Sequence, residues 1–212
     1  MNVLGQVQLI GIQGGVNMAN QSSPNIFKDS KFRTGIIGGL NYEFIFKSKY
    51  SLGADLLYSQ KGFNDKMIFV GDNGNPTGIT SDLKYYYDYL SLPLKIGYSS
   101  GDKLKGFVKI GICPSVLLKA EMTTPKVNNN GNYIGNETTD ATNNASKLDL
   151  GGLIELGAGY GLNNTLDLFS SITYNHSLTT FSNSKNDYFS DAKMRHYGFS
   201  LAIGLKYKLK GK

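Results

Sequence analysis

The stretch HYGFSLAIGLKYKL, at residues 196–209, alternates strictly between two kinds of side chain. Its seven odd positions, from Tyr197 to Leu209, are bulky and apolar, whereas its even positions are small, polar or basic. Such a period of two is typical of a β-strand whose two faces meet different surroundings. The fold must therefore give this chain an apolar environment on one side of the strand only.

The same period recurs in eight segments, and none of them shows a helical period. The segments cover residues 7–17, 33–46, 50–62, 84–98, 104–119, 147–161, 165–180 and 193–209. Short turns alternate with four long polar connections, which are residues 18–32, 63–83, 120–146 and 181–192. In an up-and-down sheet this order puts both termini and all short turns at one end. We predict an all-β fold, an eight-stranded antiparallel up-and-down barrel, because an even strand count lets the first and last strands pair.

Two barrels fit this alternation: a soluble one with an apolar interior, and a transmembrane one with the faces reversed. One parity carries large apolar residues, with no charge through the middle of any strand. The other parity carries many glycines, Lys119, and the ionisable groups that we predict to form a network in the interior of a transmembrane barrel. These are Arg33, Glu43, Asp55, Lys61, Lys95, Lys105, Lys109, Asp149, Glu155, Asp167 and Lys206. Parity alone does not separate the two barrels.

Strand length, aromatic spacing and glycine placement favour the transmembrane barrel. Several segments reach 14 to 17 residues, against about 5 or 6 for an ordinary strand. Tyr197 and Tyr207 are separated by about 25 Å of height in a strand tilted about 40°, which matches a bilayer's apolar band. The predicted lipid-interface aromatics are Phe44, Phe46, Tyr50, Tyr98, Tyr160 and Tyr207 by the short turns, and Tyr58, Tyr86, Tyr174 and Tyr197 by the long loops. The glycines of the other face suit a narrow interior.

Composition excludes several other classes of protein. No run of about 18 apolar residues is present, so a membrane-spanning helix is not predicted. The single cysteine, Cys113, excludes an internal disulfide and leaves no zinc-site spacing. The net charge of +6 is spread out except in the tail KYKLKGK, so we predict no nucleic-acid partner. We take residues 1–212 as a single barrel domain in which residues 1–5 are a remnant of a signal peptide or of an artificial start.

Several stretches point to a known family. GIQGGVN, LLYSQKG, YLSLPLKIGY, GICPSVLLKA and GAGYGLNNTLDL together resemble the PorT-like outer-membrane β-barrel family of Bacteroidetes. The resemblance implies a small OmpA- or OmpX-like barrel in the bacterial outer membrane, with termini and short turns periplasmic and long loops extracellular. One protein that shares the family's name is linked to type IX secretion, so the resemblance also implies a connection with that process. It implies no activity, because the family is defined by barrel motifs and not by a chemical site.

The sequence contains few residues that could form a catalytic or binding site. His176 and Ser177 could suggest a lipid A-modifying barrel, but adjacent strand residues point to opposite faces, which favours His176 as a membrane-boundary residue. His196 beside Arg195 is expected either to contact lipopolysaccharide phosphates or to form a solvated rim. Pro93 and Pro114 lie mid-strand in adjacent strands, where they mark either bulges or a docking patch.

We therefore predict no catalytic, metal or cofactor site. The expected function is that of a non-enzymatic outer-membrane barrel whose long loops bind a partner. The alternatives are an accessory subunit of a larger complex, such as type IX secretion or a transport or insertion machine, and a lipid A-modifying enzyme. The expected partners are outer-membrane lipid, lipopolysaccharide and other outer-membrane subunits.

Overall fold

A computed structural model of the chain describes residues 6–23, 29–70, 76–128, 133–182 and 193–209. The predicted remnant at residues 1–5 lies outside this range. The strands are β1 (Val7–Ser22), β2 (Lys31–Phe46), β3 (Tyr50–Val70), β4 (Pro76–Ser91), β5 (Leu94–Ser100), β6 (Leu104–Val127), β7 (Tyr133–Asp140), β8 (Leu148–Gly161), β9 (Leu166–Ser177) and β10 (Arg195–Leu209), with a 3₁₀ turn at Thr142–Asn144. In the described part of the chain, no helix is long and apolar enough to cross a membrane.

The strands close into a ring of eight antiparallel staves, which confirms the predicted fold class. Each strand pairs with the next along the ring, and β1 pairs with β10 from Gln8–Leu209 to Ser22–Arg195 to close it. Ten strands give eight staves because β4 and β5 form one interrupted stave, and because β7 pairs only with β6, outside the ring. Closure pairs the polar backbone groups of the wall with one another, as a lipid environment requires.

Of the two mid-strand prolines, Pro93 interrupts a strand without shifting its register, whereas Pro114 lies within the continuous strand β6. Leu92 and Pro93 separate β4 from β5. The two strands nevertheless pair with β3 and with β6 in one continuous register across the break. The wall stays bonded there, since Leu92 N donates to Pro114 O (2.8 Å) and Asp55 N donates to Pro93 O (3.0 Å). The bulge predicted at the prolines lies instead a few residues further towards the long connections.

A bulge opposite Asp88 and Tyr89 inserts one extra residue into β6 between Leu117 and Lys119. It reverses the parity of β6 beyond Leu117, so that Ala120 is buried and the Lys119 side chain is 53% exposed. The prediction that Lys119 shares the inward parity is therefore wrong, because strict alternation across a segment ignores an inserted residue.

The strands extend much further at one end of the barrel than at the other. At the short-turn end, β2 and β3 are joined by a tight turn in which Lys47 and Ser48 have φ values of 49° and 59°. At the opposite end, which we call the hairpin end, the predicted loops 63–83 and 120–146 are wrong in part. β3 and β4 continue as a paired hairpin to Val70 and from Pro76, and β6 pairs with β7 up to Val127.

The outward face of the wall is apolar and the inward face is not. Leu201 is 52% exposed and Ile12 is 60% exposed, whereas Lys109 and Asp55 are 4% and 3% exposed. A soluble barrel would show the reverse order, so the outward apolar band identifies lipid as the surrounding solvent.

Candidate functional site

The interior is built around paired charges. Four lysines and four carboxylates are buried inside the ring, and each lies within 4.0 Å of an opposite charge. These eight residues are Glu43, Asp55, Lys61, Lys95, Lys109, Asp149, Glu155 and Lys206, all of which the sequence assigns to the interior network. Because an unpaired buried charge costs several kcal/mol, such pairing is what allows these groups to be buried at all.

Six of these charges form one continuous ion-pair ladder across the barrel. Near the short-turn end, Glu43 accepts from Lys206 Nζ at 2.5 Å and lies 2.9 Å from Lys109 Nζ. Glu155 continues the ladder at 3.9 Å from Lys109 Nζ and 2.8 Å from Lys95 Nζ. The ladder ends at Asp55, which pairs with Lys95 and accepts from Gln13 Nε2 at 3.2 Å.

The remaining pair lies nearer the hairpin end. Lys61 Nζ is 2.8 Å from Asp149 Oδ2, which also accepts from the Ser177 hydroxyl at 2.8 Å. Thr179 donates to the other carboxylate oxygen at 3.0 Å, and Lys61 lies over the Tyr89 ring at 4.8 Å from its centroid. This pair ties four different strands and the segment after β9 to one another.

Three charges of the predicted network lie outside these eight paired residues. The Arg33 guanidinium lies over the ring of the outward residue Tyr86, at 4.3 Å from its centroid, and donates to Lys61 O at 2.6 Å. Arg33 lies beside the register shift between β2 and β3, and although it pairs with the inward residue Ala19, its guanidinium packs on Tyr86 and not in the ion-pair network. Lys105 is half-buried with no carboxylate within 4.0 Å among the described residues. Asp167 pairs at 2.8 Å with Lys208, a partner that the sequence reading missed.

Two phenylalanines fill the interior at the short-turn end. A Cβ built on Gly157 would lie 2.3 Å from Phe107 Cζ, and one built on Gly204 would lie 2.6 Å from Phe169 Cε1. The glycines therefore make room for the rings, and Lys206 lies 4.4 Å from the Phe169 centroid. The sequence reading assigned glycine to the inside but missed these aromatic partners, which share the inward parity.

An aromatic plug closes the interior at the hairpin end. His196 stacks on Phe181 at 4.0 Å between centroids and meets the edges of Tyr87 and Tyr89 at 4.9 and 5.9 Å. The plug comprises His196 and the buried cluster Phe63, Tyr87, Tyr89, Leu117, Ala120, Ala145, Phe181 and Met194. His196 is only 1% exposed, so both expectations for it, as a rim residue and as a phosphate contact, are wrong. The signal in the sequence was YYYDY, which places Tyr85, Tyr87 and Tyr89 on the inward parity.

Between ladder and plug the interior holds little space. One cavity of about 70 Å³ lies among Gln13, Ser59, Lys61, Lys95 and Thr173, and another of about 10 Å³ lies beside Glu43. The larger one is polar enough to hold a few water molecules and too small for a solute. Cys113, which borders it, is buried, in keeping with its inward parity.

The predicted interface aromatics lie on the outward face in two clusters. By the short turns, Tyr50 contacts Phe46 and Tyr98 at 5.8 and 5.6 Å between ring centroids. Towards the hairpin end, the Tyr197 ring lies 5.5 Å from the Phe32 ring and 6.3 Å from the His176 ring, measured between centroids. Phe32 and His176 are not among the predicted interface aromatics. Aromatic rings with polar tips are typical of both boundaries of an apolar band.

His176 and Ser177 are the two neighbouring residues that could suggest a lipid-modifying site. His176 lies on the outward face opposite Gly152, whereas Ser177 is fully buried and donates to Asp149. The two side chains therefore stand on opposite sides of the wall. In the described segments, no group of three or more His, Cys, Asp or Glu side chains is placed to hold a metal ion.

The two hairpins carry an exposed polar surface. Lys119 and Lys126 pair with Glu121 and Glu137 at 2.7 and 3.6 Å across solvent-exposed faces. Asp140, the last residue of β7, accepts a hydrogen bond at 2.7 Å from the backbone N–H of Thr142. This bond holds the pKa of the Asp140 carboxyl below its ordinary value. Among the described residues no strand pairs with the outer edge of β7.

Comparison with known proteins gives the family. The chain belongs to the family described as outer membrane protein beta-barrel domain, which matches residues 6–183. The chain is thus an outer-membrane β-barrel protein. No curated protein matches it.

Solved outer-membrane barrels share the fold at low identity. OprG from Pseudomonas aeruginosa is 14% identical with a TM-score of 0.51, and the match covers 97% of each chain. Neisserial surface protein A is 13% identical with a TM-score of 0.47, over 94% of this chain and 97% of the other. The outer membrane protease OmpT from Escherichia coli is 12% identical with a TM-score of 0.41, over 98% of both chains. At such identities the likeness concerns the fold alone.

Proposed function

We propose that the protein is a non-enzymatic outer-membrane barrel that holds its two long hairpins outside the cell as a binding surface. The observation that carries this proposal is the filled interior. Paired charges, two phenylalanine rings and an aromatic plug occupy it, and the cavities described there measure about 70 and 10 Å³. A barrel filled in this way supports what it displays rather than conducting solutes.

The hairpins supply the surface. From Tyr58 at the boundary, β3 continues to Val70, which corresponds to roughly 30 Å of height for a strand tilted about 40°. Among the described residues the opposite end of the barrel has only tight turns, which offer a partner little surface to bind. This asymmetry supports an orientation with short turns and termini in the periplasm and with hairpins outside.

The edge of β7 is the part of this surface best suited to binding. Tyr133 and Ile134 are 53% and 56% exposed, and the neighbouring Glu137 and Asp140 add negative charge. An unpaired strand edge offers backbone donors and acceptors to an extended segment of another protein. Exposed apolar side chains beside it would add specificity.

Photo-crosslinking in living cells tests the binding surface. A photoreactive residue at Ile134 should give a discrete protein adduct, and one at Leu205, on the lipid face, should not. Replacing residues 124–137 by Asn-Gly joins Thr123 to its pairing partner Thr138 and should abolish partner binding while the barrel still folds. A shortened chain that keeps the same complex would contradict the proposal, as would steady conductance of the wild type in planar bilayers.

The absence of enzymatic activity is part of the proposal. It is supported by the separation of His176 and Ser177 across the wall and by the enclosure of His196 within the plug. Lipid A mass profiles of a deletion strain should therefore match those of the parent strain. A changed acyl pattern that active protein restores would favour the lipid-modifying alternative.

A second candidate is an accessory subunit of a larger outer-membrane complex. The sequence motifs that resemble the PorT-like family of Bacteroidetes support it, since one namesake of that family is linked to type IX secretion. Purification from native membranes separates the two candidates. A stoichiometric large assembly would favour the subunit, and a lone 23.2 kDa species would favour the free barrel.

A further inference from the structure

An open polar pocket lies on the outward wall near the hairpin end, where β1, β9 and β10 adjoin. It measures about 730 Å³, and its lining includes Asn20, Ser22, Tyr174, His176, Arg195 and Tyr197. Pairing places Ser22 beside Arg195 and, one tier nearer the apolar band, Asn20 beside Tyr197. The pocket therefore has a basic upper rim and an aromatic lower wall at the boundary of the bilayer.

The basic rim of this pocket has no carboxylate partner. Lys193 is exposed and Arg195 is half-buried, and no described carboxylate lies within 4.0 Å of either cation. The Arg195 Nε atom is buried and has no hydrogen-bond partner among the described residues. The four buried lysines of the interior, in contrast, are all paired. Two cations beside hydroxyl, amide and imidazole groups make a site suited to a phosphate.

An apolar groove adjoins the pocket at two shared residues, Tyr174 and His176. It measures about 760 Å³ and runs over β5, β6 and β8, lined by side chains such as Leu94, Ile112 and Ile154. Gly152, which pairs with His176, opens this groove: a Cβ built there would meet nothing within 4 Å. A basic pocket that continues into an apolar groove fits a molecule with an anionic head and an acyl chain.

We propose that the pocket and the groove together bind one phosphorylated acyl lipid of the membrane. Its phosphate lies against Arg195 and Lys193, and one acyl chain lies in the groove over Gly152. The assignment to the outer leaflet rests on the proposed orientation with the hairpins outside. In that leaflet a bisphosphorylated glycolipid such as lipid A has the required chemistry.

The test uses the full chain in mild detergent and three probes: bisphosphorylated lipid A, its dephosphorylated form and inorganic phosphate. The wild type should bind the first in preference to the second. The double variant Lys193→Gln and Arg195→Gln should weaken binding of the bisphosphorylated form by roughly tenfold or more. Lys119→Gln, which also removes an outward cation near this end, should leave binding unchanged.

A second pair of variants tests the groove. Gly152→Leu should weaken binding of both lipid forms, because the added side chain occupies the path of the acyl chain. Gly106→Leu is its matched control, since a Cβ on that glycine also meets nothing within 4 Å, on the wall away from the groove. Heat-modifiable mobility on a gel establishes that every variant folds.

Three results would overturn the proposal: equal binding of the two lipid forms, unchanged binding by the folded double variant, or competition by inorganic phosphate at equal concentration. The last would assign the pocket to a free anion. These outcomes are independent of the hairpin experiments, because shortening β6 and β7 leaves the pocket intact. Loss of partner binding there and loss of lipid binding here are thus separate failures.

Discussion

The two faces of the barrel wall meet different surroundings, lipid outside and paired charges inside, and neighbouring residues of one strand lie on opposite faces. Leu201 on the outward face is 52% exposed, and Ala202, the next residue, is 9% exposed on the inward face. Outside, large apolar side chains meet lipid and carry no charge through the apolar band. Inside, glycine and aromatic rings interlock around paired charges. The effect of a substitution on stability should therefore depend mainly on the face on which the residue lies, and much less on how hydrophobic the residue is.

The largest effect is expected inside, where a carboxylate is shared by two lysines. Glu43→Ala leaves Lys206 without its ion-pair partner and should lower the free energy of unfolding by about 3 to 5 kcal/mol. Urea titration in detergent micelles, followed by heat-modifiable mobility, measures this. Glu137→Ala breaks the exposed pair with Lys126 and should cost less than about 1 kcal/mol. Similar losses for both variants would mean that the ladder is not buried.

A charge on the lipid face should have the next largest effect. Leu201→Arg places a cation in the apolar band and should cost about 2 to 4 kcal/mol near the bilayer midplane. Ala202→Ser, one residue away on the inward face, should be nearly silent. Refolding into lipid vesicles from urea gives both values. The contrast between outer and inner face fails if the serine variant is the more damaging one.

Added volume should be tolerated outside and resisted inside. Gly157→Ala forces a methyl group against the Phe107 ring and should cost about 1 to 3 kcal/mol. Gly106→Ala adds the same methyl group to open space on the outward face and should change stability by less than about 0.5 kcal/mol. The same urea titration compares them. Equal stability of the two variants would contradict the interlocked packing of ring and glycine.

The smallest effect tests the bulge in β6. Lys119→Ala removes a side chain that is 53% exposed and should leave the urea midpoint nearly unchanged, because exposed ion pairs contribute little to stability. If β6 alternated without a bulge, Lys119 would point into the interior and its loss would disturb buried charges. A large decrease of the urea midpoint would therefore contradict the bulge.

The sequence predicts the spanning part of the barrel because lipid and a filled interior impose strict alternation there. That is why β10 and the eight charges of the interior pairs can be found by parity. The alternation disappears above the boundary, where the extension of β3 and both faces of β7 meet water, so the sequence predicts loops there. A polar hairpin and a polar loop have nearly the same composition.

Other features depend on contacts that parity does not contain. Phe181 enters the plug from a connection, and its hydrogen bonds run to Met194 and Ser146 on distant segments. His196 looks like a rim residue in sequence because only the packing of Phe181 and Tyr87 around it makes it buried. Arg33 lies beside a register shift between β2 and β3, and parity does not show that its guanidinium packs on the Tyr86 ring.

The central claim, that the wall is apolar towards lipid and polar inside, can be tested with single tryptophans. The chain contains no tryptophan, so each variant carries one fluorophore. In vesicles of lipids brominated along the acyl chain, fluorescence of Leu201→Trp should be strongly quenched, and that of Phe169→Trp should be nearly unaffected. Heat-modifiable mobility establishes that both variants fold. Strong quenching at residue 169 with none at residue 201 would show that the faces are reversed and would contradict the account.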